Sequence, residues 1–146
     1  MPTMSLPSGF DLFYQIDDYT DPWHDAETLV LLHGNAESGE AWRAWVPHLG
    51  RRYRVVRPDL RGFGKSTPTP IGFPWTIDIL VDDLARLGEH LGLESFHLVA
   101  AKFGGTVALK FAAEHPQLLK SLTVIGTPPA PKHSLAATVS EWVAHI

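Results

Sequence analysis

The stretch from Ser95 to Ala113, SFHLVAAKFGGTVALKFAA, constrains the fold more than any other part of this chain. Phe96, Leu98 and Val99 form an apolar run with strand propensity. Val107, Ala108, Leu109, Phe111 and Ala112 follow at the spacing of a helix that buries one face. Only Ala101-Lys102-Phe103 separates the two, before Gly104 and Gly105. A strand that becomes a helix over so few residues must turn sharply. The small Ala100 and Gly104 on either side of the bend let the two backbones pack closely.

The rest of the chain alternates in the same way. Phe10 to Ile16 suits an edge strand. Thr28 to Leu32, TLVLL, reads as a strand buried on both faces. Glu40 to Leu49 reads as a helix with Trp42, Trp45 and Val46 inward, and Arg54 to Arg57 as a short strand ended by Pro58. Trp75 to Leu91 carries Ile77, Leu80, Val81, Leu84, Leu87 and Leu91 at helical spacing, and Gly92 stops it. Leu118 to Ile125 gives a further buried strand, and Ser134 caps a last amphipathic helix. Strands alternating with helices imply an α/β fold, a mostly parallel sheet with helices on both faces. Ligands then bind beyond the carboxyl ends of the strands. His33-Gly34-Asn35, the Asp59 to Ser66 loop, Lys102-Phe103 and Gly126-Thr127 all fall there and should share one crevice.

Bulk properties narrow the function. A chain of 146 residues can bury a core as one domain. A net charge of −4 gives no electrostatic reason to expect nucleic acid or an anionic membrane as partner. Cysteine is absent, which removes thiolate chemistry and suits a cytoplasmic location. The amino terminus lacks the basic start and apolar core of a signal peptide, and no apolar run reaches the ~18 residues of a membrane span. The 8 histidines show no zinc-site spacing, so no metal and no cofactor is expected. Gly62 and Gly64 lack the surroundings of a phosphate loop.

Three segments, in order, carry a family resemblance: TLVLLHGNAESGEAW, VVRPDLRGFGKS and HLVAAKFGGTVALKFAAEHP. They resemble the oxyanion-loop segment, the loop after the next strand, and the nucleophile elbow of the α/β-hydrolase superfamily. The nearest branch is that of esterases, epoxide hydrolases, dehalogenases and haloperoxidases. The elbow pattern Gly-x-nucleophile-x-Gly, usually with serine at its centre, here reads Ala100-Ala101-Lys102-Phe103-Gly104. Lysine stands where the hydroxyl should be. The resemblance implies the N-terminal half of such a hydrolase, with residues 1–133 as core and 134–146 as the start of a lid or connecting helix. A C-terminal half or second chain would supply the acid and the histidine. It further implies an oxyanion hole from the backbone N–H groups of Asn35 and Phe103.

Each candidate residue has a plainer alternative. Lys102 is catalytic if its amine forms a Schiff base or serves as a general base; otherwise it is a positive plug, a carboxylate anchor or an engineered substitution. His33 is a base or a structural histidine that locks its loop. Asp59 and Arg61 are an acid and an anion binder, or they fix the loop beneath the site. Trp42, Trp45 and Trp75 are core or pocket wall. His33, Gly34 and Trp42 are the expected substrate contacts. The expectation is an enzyme acting on a small, largely apolar ester or carbonyl compound; the alternative is a non-catalytic relative that binds a ligand or partner chain.

Overall fold

The computed structural model describes residues 2–127. Six strands form one sheet: β1 (Thr3–Ser5), β2 (Asp11–Asp17), β3 (Thr28–Leu32), β4 (Arg54–Pro58), β5 (Phe96–Ala101) and β6 (Leu119–Ile125). Their order is β1-β2-β4-β3-β5-β6. β1 pairs antiparallel with β2, and β2 antiparallel with β4. The four from β4 to β6 run parallel. Three helices accompany them: α1 (Val46–Leu49), α2 (Ile77–His90) and α3 (Phe103–Glu114). None of the described helices is long and apolar enough to cross a membrane.

The continuous apolar run of β3 is explained by its central place. Val30 and Leu32 belong to a large core with Leu80, Leu84 and Leu87 of α2 and Val107 and Phe111 of α3. Leu29 and Leu31 face the other way, onto Trp42 and Val55. Successive side chains of a strand point to opposite faces, so an unbroken apolar run fits a strand covered on both. α2 begins where Thr76 accepts the Ile79 N–H with its side chain, two residues later than the apolar periodicity implies.

Several elements differ from the sequence reading. Residues 39–45 wind as a 3-10 helix capped by Ser38, and only Val46–Leu49 is α-helical. Pro47 has no N–H to offer the turn before it, and Val46 bonds back three residues to Arg43 instead of four. The tighter winding buries Trp42 and leaves Trp45 41% exposed. β6 is half-covered at best, with Lys120, Ser121, Thr123 and Ile125 exposed, because no strand among the described residues pairs with its outer edge. β1 was not foreseen: three residues are too short to show a period. The helix expected from Ser134, and the whole of 134–146, lie outside the described residues.

Candidate active site

Lys102 stands between β5 and α3 with φ 54° and ψ −126°. A side chain in this left-handed region costs on the order of 1–3 kcal/mol, and it persists only where the flanks fix it. β5 is paired on both sides by β3 and β6. The Lys102 N–H donates to Ile125 O at 2.9 Å, and the Gly105 N–H donates to Lys102 O at 3.0 Å. Gly104 meets β3 closely: a Cβ there would lie 2.4 Å from His33 O and 2.8 Å from Leu32 O. Backbone contact of this kind sets the loop after β3 beside the start of α3.

The consequence is a pair of backbone donors without a partner among the described residues. Phe103 is the first residue of α3, so its N–H has no partner within the helix. Neither it nor the Asn35 N–H donates to any other described residue. Asn35 and Phe103 both line one cavity of about 440 Å³, whose other walls include Phe63, Trp75, Ile77 and Leu80. Fixed N–H groups in an apolar recess stabilise an oxygen that gains negative charge.

The lysine side chain takes another direction. It crosses Gly34, where an added Cβ would sit 3.0 Å from Lys102 Cβ and Cδ. Its ammonium forms a hydrogen-bonded ion pair with Glu37. The lysine side chain is 63% exposed and borders a second cleft, of about 210 Å³, together with Trp42, Trp45 and Ile125. Glu37 also accepts the Gly34 N–H at 3.0 Å. The Lys102 hydrogen bond, and after it the one from Gly34, hold the Glu37 carboxyl below its usual range. Nothing in Ala36-Glu37-Ser38 marks Glu37 as special in the sequence. The cue available was its place three residues after Gly34.

The remaining candidates form the floor. His33 is fully buried. Its Nε2 accepts the Leu60 N–H at 2.9 Å, which places the proton on Nδ1, 2.7 Å from Gly34 O. Burial holds the imidazole below its ordinary pKa, and therefore neutral. With both nitrogens engaged, the ring presents no polar atom to a ligand or a proton donor; it packs edge-on against Phe63 at 5.8 Å. Asp59 accepts the Gly39 N–H at 2.7 Å and the Lys65 N–H at 2.8 Å. Arg61 grips Asp83 with two bonds, at 2.8 and 2.7 Å. Burial raises the Asp83 carboxyl and the Arg61 guanidinium opposes it. Trp42 is 4% exposed, its indole N–H is without a partner among the described residues, and it borders the lysine cleft rather than the larger cavity.

Comparison with known proteins gives a consistent result. The family model described as alpha/beta hydrolase fold matches residues 27–145. A 2-hydroxymuconate semialdehyde hydrolase from Pseudomonas sp. is 33% identical over 102 residues, 68% of this chain and 36% of that protein. A fluoroacetate dehalogenase from Burkholderia sp. is 36% identical over 120 residues, 80% of this chain and 38% of that protein. The crystal structure of a hydrolase from Pseudomonas aeruginosa PA01 superposes with a TM-score of 0.81 at 27% identity, over 99% of this chain and 51% of that one. The chain thus spans well under half the length of these two curated relatives.

Proposed function

The chain belongs to the alpha/beta hydrolase fold family, and on that premise we propose that it provides the amino-terminal portion of a hydrolase site for a small, largely apolar ester or carbonyl compound. The observation that carries this reading is that Asn35 and Phe103 line one largely apolar cavity while neither backbone N–H has a partner among the described residues. The carbonyl oxygen is held there, and Lys102 stands at the nucleophile position. The other polar catalytic groups, a histidine base among them, come from a C-terminal half or a second chain.

With a carbonyl compound, Lys102 releases a proton to solvent and its amine adds to the carbonyl carbon. Charge builds on the oxygen between the two N–H groups. Loss of water then leaves an imine. A turn about the side-chain bonds must first carry Nζ from Glu37 towards the cavity; the exposure of the lysine permits it. Borohydride reduction in the presence of a small aliphatic aldehyde tests the step. Lys102 should be alkylated in preference to Lys65, Lys110, Lys120 and Lys132, and the adduct should vanish in Lys102→Met. Uniform modification of all five would defeat the catalytic reading.

One observation favours a second reading, that of a non-catalytic relative. The Lys102–Glu37 ion pair favours the ammonium, which cannot attack a carbonyl. Calorimetric binding of the aldehyde without any reducible adduct would select it.

A further inference from the structure

The amino end of the sheet carries a second group of reactive side chains that the elbow does not use. Glu27 lies just before β3, His97 is the second residue of β5, and Ser121 is the third residue of β6. The Ser121 Oγ is 2.7 Å from His97 Nδ1. The other ring nitrogen, Nε2, is paired with the Glu27 carboxylate. A hydroxyl, an imidazole and a carboxylate therefore stand in one hydrogen-bonded line.

The alignment comes from an irregularity in the sheet. Phe96 faces Leu119, but the next pair is His97 with Ser121, so Lys120 is an extra residue on β6. Such a bulge re-aims side chains relative to a regular ladder. Regular register would have set Lys120 opposite His97. Instead Ser121 takes that place, and Lys120 reaches Glu27 with its ammonium at 3.4 Å. The hydrogen bond from His97, then that from Lys120, hold the Glu27 carboxyl below its usual range. Two features orient the group further. Tyr53 packs edge-on against the imidazole at 5.6 Å, and the Arg54 N–H bonds to Glu27 O at 3.0 Å. Ser121 is exposed, and a cleft of about 300 Å³ lined by His24, Asp25, Glu27, Arg52 and Tyr53 opens beside Glu27.

We propose that Ser121, His97 and Glu27 form a second, serine-type acyl-transfer site for small activated esters, at the end of the sheet opposite the elbow. The Ser121 oxygen attacks the ester carbonyl while its proton passes to His97 Nδ1. The imidazolium that forms is held through Nε2 by Glu27, a positioning residue. The bond to the leaving alcohol breaks, and that alcohol takes the proton from His97. Water, deprotonated by His97, then attacks the Ser121 ester and releases the carboxylic acid. No residue of the elbow takes part, so the site stands or falls independently of Lys102.

A fluorophosphonate probe tests the site on the intact chain, because Oγ–P bond formation with loss of fluoride leaves a stable adduct for mass spectrometry. Ser121 should be the labelled serine, in preference to Ser5, which is exposed and bonded to Asp11 with no imidazole nearby. Ser121→Ala should abolish the label. His97→Asn should slow it about 100-fold, the usual scale of a general base. Glu27→Gln should slow it as well, and Glu27→Asp, which keeps the charge, should restore part of the rate. Ser5→Ala should leave it unchanged. Equal labelling of Ser5 and Ser121, or a rate indifferent to His97→Asn in a chain with native circular dichroism, would overturn the proposal.

Discussion

Two polar clusters occupy the carboxyl end of the sheet, and burial separates them. His33, Asp59 and Arg61 are 0%, 3% and 8% exposed, and their side chains are tied by hydrogen bonds to Leu60, Gly34, Gly39, Lys65 and Asp83. Lys102 and Glu37 have side chains 63% and 27% exposed, and they stand beside two N–H groups with no partner among the described residues. The first cluster is buried, and its hydrogen bonds run to the backbone and to Asp83. The second has an exposed ion pair and two backbone donors without a partner among the described residues. Residue type alone would have ranked the clusters the other way, since histidine, aspartate and arginine are the commoner catalytic residues. Burial, more than chemical identity, separates scaffold from site here.

Perturbing the buried cluster should cost far more stability than perturbing the open one. The largest loss is expected for Arg61→Ala, which strands the Asp83 carboxylate at 1% exposure; breaking a buried pair from one side costs about 3–5 kcal/mol. Urea denaturation measures it, and a midpoint unchanged from the parent would contradict a scaffolding role. Asp59→Ala should come next. It leaves the Gly39 and Lys65 N–H groups unpaired, at about 1–3 kcal/mol for each one that stays buried.

His33 sharpens the contrast through pH. Its folded pKa lies below the ordinary 6.5 because of burial. Between that lower value and 6.5 the unfolded chain binds a proton that the folded chain refuses. Stability from this residue is therefore complete above pH 6.5 and is lost as pH falls through the folded value. The slope of unfolding free energy against pH in this window should flatten in His33→Asn relative to the parent. An identical slope would mean that another group titrates there.

Glu37→Gln should have the smallest effect on stability, about 0.2–1 kcal/mol for an exposed pair. Its contribution is present above the ordinary value of 4.5 and disappears as pH falls through the lowered folded value. A loss as large as that of Arg61→Ala would erase the distinction between the clusters.

Much of this was legible in the residues. The apolar run of β3, the spacing of α2 and the abrupt passage from β5 to α3 gave the core and the bend, because burial on one or two faces leaves a periodic mark. The 3-10 winding at 39–45 left no such mark; Trp42, Trp45 and Val46 fit an α-helical face equally well on paper. Trp45 came out exposed for that reason. Glu37 escaped notice because its importance depends on where Lys102 points, which no spacing encodes. Ser121 escaped for a similar reason: a bulge in the ladder pairs it with His97, and simple alternation along β6 cannot reveal a bulge.

The proposed site requires the Asn35 and Phe103 N–H groups to bind one oxygen in the cavity that both residues line. Amide ¹H–¹⁵N spectra recorded during titration with a small apolar ketone test it most directly. The Asn35 and Phe103 signals should shift together and furthest, with one common dissociation constant, while the Leu60 amide, already bonded to His33, stays in place. Stationary Asn35 and Phe103 signals at saturating ketone, with shifts elsewhere, would contradict it.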